Sequence, residues 1–562
     1  MEDEKNLPVF VSEPDRKKQR ALIIIALAVI IASAFLLRVW SADSRDLIGD
    51  EAAYAFRSVG YVDYLGTSFQ TQPIEWYKNQ ELPWWTTLSF HDHPPLGFLI
   101  QHAFFQVFGE SAGVARLPAI LFGTISVFLI YAISRRFLAE WVAITAAALF
   151  AINSASVWIF RTALLEPILI FLILVNIYIF FKFAGDALWR RRYWWLFGGT
   201  LGLIFLTKYT GVFVIPPYAV YIFIFHKELL KNWRTYAAFF TAILLFSPVV
   251  IYNWGLYKAT GHFDLQIAYF LGQETPEWAG LLGKTDASFL NIFTNWIEVF
   301  GAATTILFLI GTVWSIIVFR QQKNGGITFL WLYTFSVTAL LVLTGAAERF
   351  LTLYIPVAVI FGAFGVRWLW QFKKDSLWHY FFLACILALL VGEVTFAVDK
   401  NFVHYPDFGV AKLDQYFEHE FANKKSAIIP ETDNPHLTQI VYDFARRQNS
   451  KEEGLYAIIY NDNIALGTLQ WIFYRRFFYE NIPTFFVENF NQTRALVGAD
   501  SFKSFTLYFV QSTSHTLLNE FKRSKTAGLE FENDLIDRGL KADAVIYNKD
   551  GLPMFAVYKF AL

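Results

Sequence analysis

The sequence predicts an α-helical polytopic membrane protein of about eleven spans, followed by a soluble α/β domain. Three features predict it: an apolar surplus, apolar runs of membrane-crossing length, and a change of texture near residue 400. Of the 562 residues, 56% are hydrophobic and 17% charged, with 60 Phe and 19 Trp. Soluble chains average about 45–50% apolar and about 25% charged. The buried fraction grows only slowly with chain length, so one soluble core cannot absorb this excess, and the same numbers exclude disorder. The 47 Lys and Arg balance the 47 Asp and Glu, so no overall field favours nucleic acid. The single cysteine, Cys385, lies in an apolar run and forms neither an intrachain disulfide nor a thiolate zinc site.

From the N-terminus, residues 1–20 are polar and carry Arg16, Lys17, Lys18 and Arg20, and 21–37 is unbroken apolar sequence. That run is long for a signal peptide and no small-residue cleavage pattern follows, so it reads as an uncleaved first span. Further spans, about 17–25 residues each, are expected near 117–134, 141–160, 162–181, 193–207, 210–225, 236–252, 297–319, 327–345, 350–366 and 377–398. The segments 1–20, 133–140, 182–193, 226–236, 320–326 and 366–376 hold 19 Lys and Arg in 69 residues. The loops 41–115 and 253–295 hold 5 in 118. By the positive-inside rule the N-terminus is cytoplasmic and both large loops are external. An odd number of spans then places everything after residue 400 outside as well. The expected protein is a multi-pass plasma-membrane protein with a cytoplasmic segment 1–20, a membrane domain 21–400 and an external domain 401–562.

In that last domain apolar runs shorten to strand length. Segments 457–460, 484–487, 506–510, 544–547 and 555–558 read as strands, and 466–479 and 516–524 carry helical periodicity. Asn548-Lys549-Asp550-Gly551 signals a hairpin between the last two strands. There is no internal repeat and no low-complexity linker.

Chemistry concentrates in the first loop: Gly49-Asp50-Glu51-Ala52-Ala53-Tyr54, an aromatic stretch at 76–85, then His91-Asp92-His93-Pro94-Pro95-Leu96-Gly97. Adjacent carboxylates are ordinary in a solvated loop. Beside a membrane, in the company of aromatics, His and Pro-Pro, they become functional candidates because charge near lipid is costly. A second set of charges lies at span ends expected on the same side: Arg116, Arg161, Glu166, Lys208 and Arg349 beside Glu348. Snorkelling side chains or structural pairs explain any one of them. Together, cations and a few carboxylates at one interface suit an anionic lipid head group.

At these residues the chain resembles the GT-C glycosyltransferases of the protein O-mannosyltransferase and aminoarabinose lipid A transferase superfamily. The resemblance rests on Asp50-Glu51, His93-Pro94-Pro95-Leu96, Arg116-Leu117-Pro118, Arg161 with Glu166-Pro167, and Leu206-Thr207-Lys208, in family order across roughly residues 20–370. It implies a GT-C membrane domain that takes a sugar from a polyprenyl phosphate and passes it to an acceptor on the outer side. By the resemblance Asp50 matches the catalytic aspartate and Glu51 its neighbour, His93 lies in the motif closing the loop, and Lys208 matches a lysine near the donor phosphate. Arg161 and Glu166 match the second polar turn. Nothing in 401–562 resembles the lectin-like domain of eukaryotic protein mannosyltransferases, so a protein acceptor is not implied. An external α/β domain after the last spans resembles the bacterial lipid-modifying branch more closely, and the acceptor stays open between lipid, glycan and protein.

The implied reaction needs a base for the acceptor hydroxyl and cations for the departing phosphate. Asp50 is assigned the first role, Lys208 the second with Arg349 as a further clamp, and inversion at the anomeric carbon follows. Tyr54, His93, Arg116, Arg161 and Glu166 complete the expected substrate site. Trp76, Tyr77, Trp84 and Trp85 read more readily as a head-group belt than as sugar platforms. No cofactor is called for, although a divalent cation stays open: His91-Asp92-His93 has suitable residue types, but three adjacent ligands do not easily converge. The Asn491-Gln492-Thr493 triplet is a glycosylation signal only in a host that uses it. The rival class is a transporter or lipid flippase, which would place ionisable groups at midplane; here the spans are nearly free of internal charge.

Overall fold

The computed structural model describes residues 13–278, 290–322, 324–372, 377–448, 451–461, 464–513 and 526–562. Among these residues eight helices are long and apolar enough to cross a membrane: Lys17–Val39, Ala112–Ser134, Glu166–Gly185, Trp233–Thr260, Asn291–Val318, Gly325–Thr344, Glu348–Gln371 and Trp378–Val403. Each coincides with one expected span. The other three expected spans are modified. The stretch 141–160 stops at Asn153, giving Glu140–Ile152 and Ser154–Ile159. Residues 193–207 belong to Ala187–Thr207, whose first turns carry Arg190, Arg191 and Arg192. Residues 210–225 fall in the shorter apolar Tyr209–Phe225. The first loop also contains two longer helices, Gly49–Gly60 and the apolar Leu96–Phe108, which span-length reasoning passed over. The expected helix at 516–524 lies outside the described residues.

Two charged side chains, Arg38 at the end of the first span and Glu393 within the last, are buried against helix breaks. The break at Asn153 frees carbonyls on one side and N–H groups on the other, and an apolar surrounding offers neither a partner. Arg38 donates to Phe150 O and Ala151 O, both at 3.2 Å. From the other side, Glu393 accepts from Ser154 N at 3.0 Å and Asn153 Nδ2 at 3.0 Å. Its second oxygen takes Thr304 N at 3.1 Å, just beyond a second interruption at Gly301, where φ is +74°. Both side chains therefore repair helix breaks.

Two helices meet almost backbone to backbone. A Cβ on Gly311 would collide with the carbonyl of Phe361, and one on Gly365 with that of Leu307. Small residues are what allow helices to approach this closely.

The C-terminal sheet runs in the order Thr484–Phe486, Tyr456–Tyr460, Thr506–Ser512, Pro553–Phe560, Ala544–Tyr547. Its first two pairings are parallel and its last two antiparallel. All five expected strands are present, including the final hairpin. Alternation along the strands sends Ala457, Ile459, Leu507 and Phe509 to one core and Ile458, Tyr460, Tyr508 and Val510 to another. That second core is shared with the first loop: Phe56, Val59 and Ala115 pack in it with Phe417, Trp471 and Phe473. Polar contacts seal the junction, where Arg475 Nη1 donates to Glu110 O at 2.8 Å. Burial, together with Glu480 and Glu418, pushes the Glu110 carboxyl up to about 7, against the pull of Arg475.

Two outcomes follow from this packing. Gly311→Val should lower the melting temperature in detergent, an overpacking cost of about 1–3 kcal/mol or more. A Glu110 raised from its ordinary 4.5 adds stability that is complete below that value and is lost as pH rises through about 7. The melting temperature of the wild type should therefore fall more steeply over that interval than that of Glu110→Gln, as thermal unfolding at several pH values would record.

Candidate active site

Four chain interruptions on one face of the helices bring four charges together. Gly49, with φ +55°, lets the chain turn from an extended Ile48 into the helix that carries Asp50 in its first turn. Glu166 opens its helix with Pro167 at the following position, where a missing N–H costs nothing. Lys208 is extended, φ −162° and ψ 138°, just past the end of its helix. Arg349 lies in the single turn Glu348–Leu351 that follows the stop at Gly345.

These four alternate in sign. Arg349 Nη1 donates to Asp50 Oδ2, Arg349 Nε lies 3.8 Å from Glu166 Oε1, and Lys208 Nζ donates to the same oxygen at 2.5 Å. Glu166 and Lys208 are buried, whereas the side chains of Asp50 and Arg349 are 49% and 32% exposed. The row thus has a buried end and an open end. Phe350 lies beneath both cations, its ring centre 5.0 Å from Lys208 Nζ and 5.2 Å from the Arg349 guanidinium. Burial lowers the Lys208 amine, and the attraction of Glu166 offsets that only in part. Among the described residues, buried Glu166 Oε2 accepts no hydrogen bond.

The remaining expected site residues are committed elsewhere. Glu51 turns away from Asp50 and receives Arg116 Nε and Nη2 at 3.1 and 2.9 Å. Arg116 also donates to Ala42 O, Arg45 O and Asp46 O at 2.7–3.0 Å, lashing the start of the first loop to its helix. Arg161 donates to Leu37 O and Trp40 O at 2.5 and 2.7 Å and faces the Phe402 ring at 4.2 Å. Each guanidinium closes the open carbonyls at a chain turn. His93 Nε2 is 3.3 Å from the Tyr54 hydroxyl and its Nδ1 3.0 Å from Asp92 Oδ2, so Tyr54 and His93 form a buried layer beside Asp50 rather than its open edge.

Below that layer lies a network that motif reading missed. Arg57 donates to both Asp92 oxygens at 3.0 and 2.6 Å and to Asp63 Oδ1 at 2.8 Å. His91 Nδ1 reaches Asp63 Oδ1 at 2.7 Å. Burial pushes the Asp92 carboxyl up, but the charges of Arg57, His93 and His91 outweigh it and hold it well below the usual range. A signal existed: Asp50, Tyr54 and Arg57 stand at i, i+4 and i+7, one side of a helix. Asp63, His91 and Asp92 have ligand atoms close enough for a metal. Their oxygens already hold the Arg57 guanidinium, whose charge opposes a second cation, so this donor set does not fit a divalent ion.

The aromatic stretch divides. Trp84 is 69% exposed, while Trp85 packs edge-on to Tyr252 at 5.6 Å. Trp76 Nε1 donates to Thr71 Oγ1 at 2.7 Å, and Trp278 Nε1, from the second loop, donates to Thr71 O at 2.9 Å.

Residues 92–252 match the family model of dolichyl-phosphate-mannose-protein mannosyltransferases. ArnT from Cupriavidus metallidurans bound to undecaprenyl phosphate superposes with a TM-score of 0.53 at 13% identity, over 96% of this chain and 98% of that one. This is a GT-C membrane fold. The same fold relates it to the Archaeoglobus fulgidus oligosaccharyltransferase AglB in complex with an inhibitory peptide and a dolichol-phosphate. There the TM-score is 0.52 at 14% identity, over 88% of this chain and 70% of that one. Comparison with curated protein sequences finds no match. Within the GT-C frame the family-matched stretch carries His93, Arg116, Arg161, Glu166 and Lys208, while Asp50 and Arg349 flank it in sequence and join it in space.

Removing Arg57 would strand two buried carboxylates. Arg57→Met should cost about 3–5 kcal/mol of stability, seen as a lower melting temperature, and adding Asp92→Asn should recover part of that loss.

Proposed function

We propose that the protein is a membrane glycosyltransferase that moves a sugar from a polyprenyl-phosphate donor to an acceptor hydroxyl, with inversion and with Asp50 as general base. The observation that carries this reading is the open end of the charge row: Asp50 is half exposed and held by Arg349, one link from the buried Glu166–Lys208 pair. The GT-C fold and the family match at 92–252 support the reaction class. Solved relatives with that fold hold undecaprenyl phosphate or a dolichol-phosphate.

The chemistry then runs through this chain's own groups. The donor phosphate competes with Asp50 for Arg349 and draws on Lys208, whose buried charge Glu166 only partly matches. Arg349 supplies a planar fork to phosphate oxygens and Lys208 a point charge. Asp50, released from its guanidinium, accepts the proton of the acceptor hydroxyl. As that oxygen bonds to the anomeric carbon, the carbon–oxygen bond to phosphate breaks and polyprenyl phosphate leaves with the electron pair. Tyr54 and His93 form the wall behind Asp50, and the Arg116–Glu51 pair and Arg161 keep the loop in place without touching substrate. The Lys and Arg asymmetry supports a cytoplasmic N-terminus and an extracytoplasmic site in the plasma membrane. The acceptor is a lipid, a glycan or a protein. A transporter reading draws no support from Arg38 and Glu393, which serve helix ends.

In liposomes supplied with a lipid, glycan or peptide hydroxyl acceptor, the purified protein should transfer sugar from one of a panel of polyprenyl-phosphate hexoses and pentoses, releasing polyprenyl phosphate, and should transfer none from a nucleotide sugar. Asp50→Asn should lower kcat about 10²–10⁴-fold and keep its affinity for undecaprenyl phosphate. Lys208→Met should weaken that affinity about 10–100-fold, the worth of one charge-assisted contact. A fully active Asp50→Asn, or a nucleotide sugar as donor, would end this proposal.

A further inference from the structure

The C-terminal domain packs against the backbone of the residue before the proposed base. Its segment 466–479 lies along the helix Gly49–Gly60 and the turn after it. Gly467 faces the backbone of Gly49: a Cβ there would lie 2.6 Å from Gly49 N, 2.7 Å from its O and 3.0 Å from its Cα. The Tyr474 ring covers Gly66, the Tyr479 ring covers Gly60, and Gln470 Nε2 donates to Leu65 O at 2.8 Å. Ahead of Gly49, the Asp46 carboxylate accepts from Phe408 N and, at 2.8 Å, from Ala411 N at the start of the helix Val410–Phe421. The residues on either side of Asp50 are thus fastened to the C-terminal domain.

Gly467 has no left-handed backbone to explain it. A glycine inside a helix sacrifices stability relative to alanine, and here the space is taken by the backbone one residue before Asp50. That residue holds φ +55° and turns the chain directly into the Asp50 helix.

We infer that the C-terminal domain sets the position of Asp50, with Gly467 as the positioning residue that fixes its distance from Arg349. This rests on the reading of Asp50 as base. A side chain at 467 pushes the Gly49–Asp50 turn outward without touching Lys208, and misplacement by about 1 Å costs a reaction roughly 100-fold.

The test uses the full-length protein and whichever polyprenyl-phosphate sugar the wild type turns over. Gly467→Ala should lower kcat about tenfold and Gly467→Val about 100-fold, with undecaprenyl phosphate affinity within about twofold of wild type. Phe531→Leu, in the core on the far face of the sheet, should lower the melting temperature and leave kcat unchanged. The inference is overturned if Gly467→Val folds and keeps its kcat, or if Phe531→Leu loses kcat to the same extent. Should Gly467→Val not fold, Gly467→Ala decides by the same criterion. Full activity of Asp50→Asn would remove the catalytic reading itself, whereas an inactive Asp50→Asn beside an active Gly467→Val would remove this inference alone.

Discussion

A charge at the edge of a hydrocarbon slab has to meet an opposite charge or open to water, and the row Asp50, Arg349, Glu166, Lys208 does both. Each member sits where a helix starts or stops. The buried end of the row is anchored by a 2.5 Å pair; the other end is half open. In the proposed mechanism an anion arriving at the open end replaces a carboxylate on Arg349 instead of being dragged into an apolar cleft. Placing charge in advance of the reaction in this way is how fixed groups lower a barrier without reorganising during the step.

The same constraint explains the supporting parts. Arg38 and Glu393 close the two sides of the break at Asn153, Arg161 closes the end of the first span, and Arg116 gathers three carbonyls of the first loop. All four side chains sit among apolar helices and would be expensive alone. With backbone partners they become struts. The Arg57–Asp92–Asp63–His91 network extends the logic into the loop, giving Tyr54 and His93 a rigid floor. On the other side of the first loop, the C-terminal domain shares its core with Phe56 and Val59. The aspartate is held between a membrane-side charge network and a soluble-side apolar core.

Much of this was legible residue by residue. Runs such as 117–134 and 377–398 announce helices because only uninterrupted apolar sequence of that length suits a bilayer. The short apolar stretches 506–510 and 544–547 announce strands just as directly. Asp50, Glu166, Lys208 and Arg349 could be picked out because ionisable groups at span ends are rare and costly. Less legible were the interruptions. Asn153 and Gly301 break helices inside apolar runs, and a window average blurs a break of one residue. The partners of Arg116 and Arg161 were not legible either, because a sequence shows a charge without showing which carbonyls it satisfies. Arg57 was passed over because its partners, Asp63 and Asp92, are 6 and 35 residues away.

By itself, then, the amino-acid order determined the membrane-embedded helical class, the α/β tail, and a short set of charges at helix ends, since all three follow from local composition and from what lipid tolerates. Only the tertiary structure decided which charges stay open and which are used up: Arg349 and Asp50 at the rim, Arg116 and Arg161 spent on backbone. It also decided that Gly467, more than 400 positions from Asp50 in sequence, borders its turn. Such pairings depend on distances between segments remote along the chain, and those distances are set by how whole helices and domains pack.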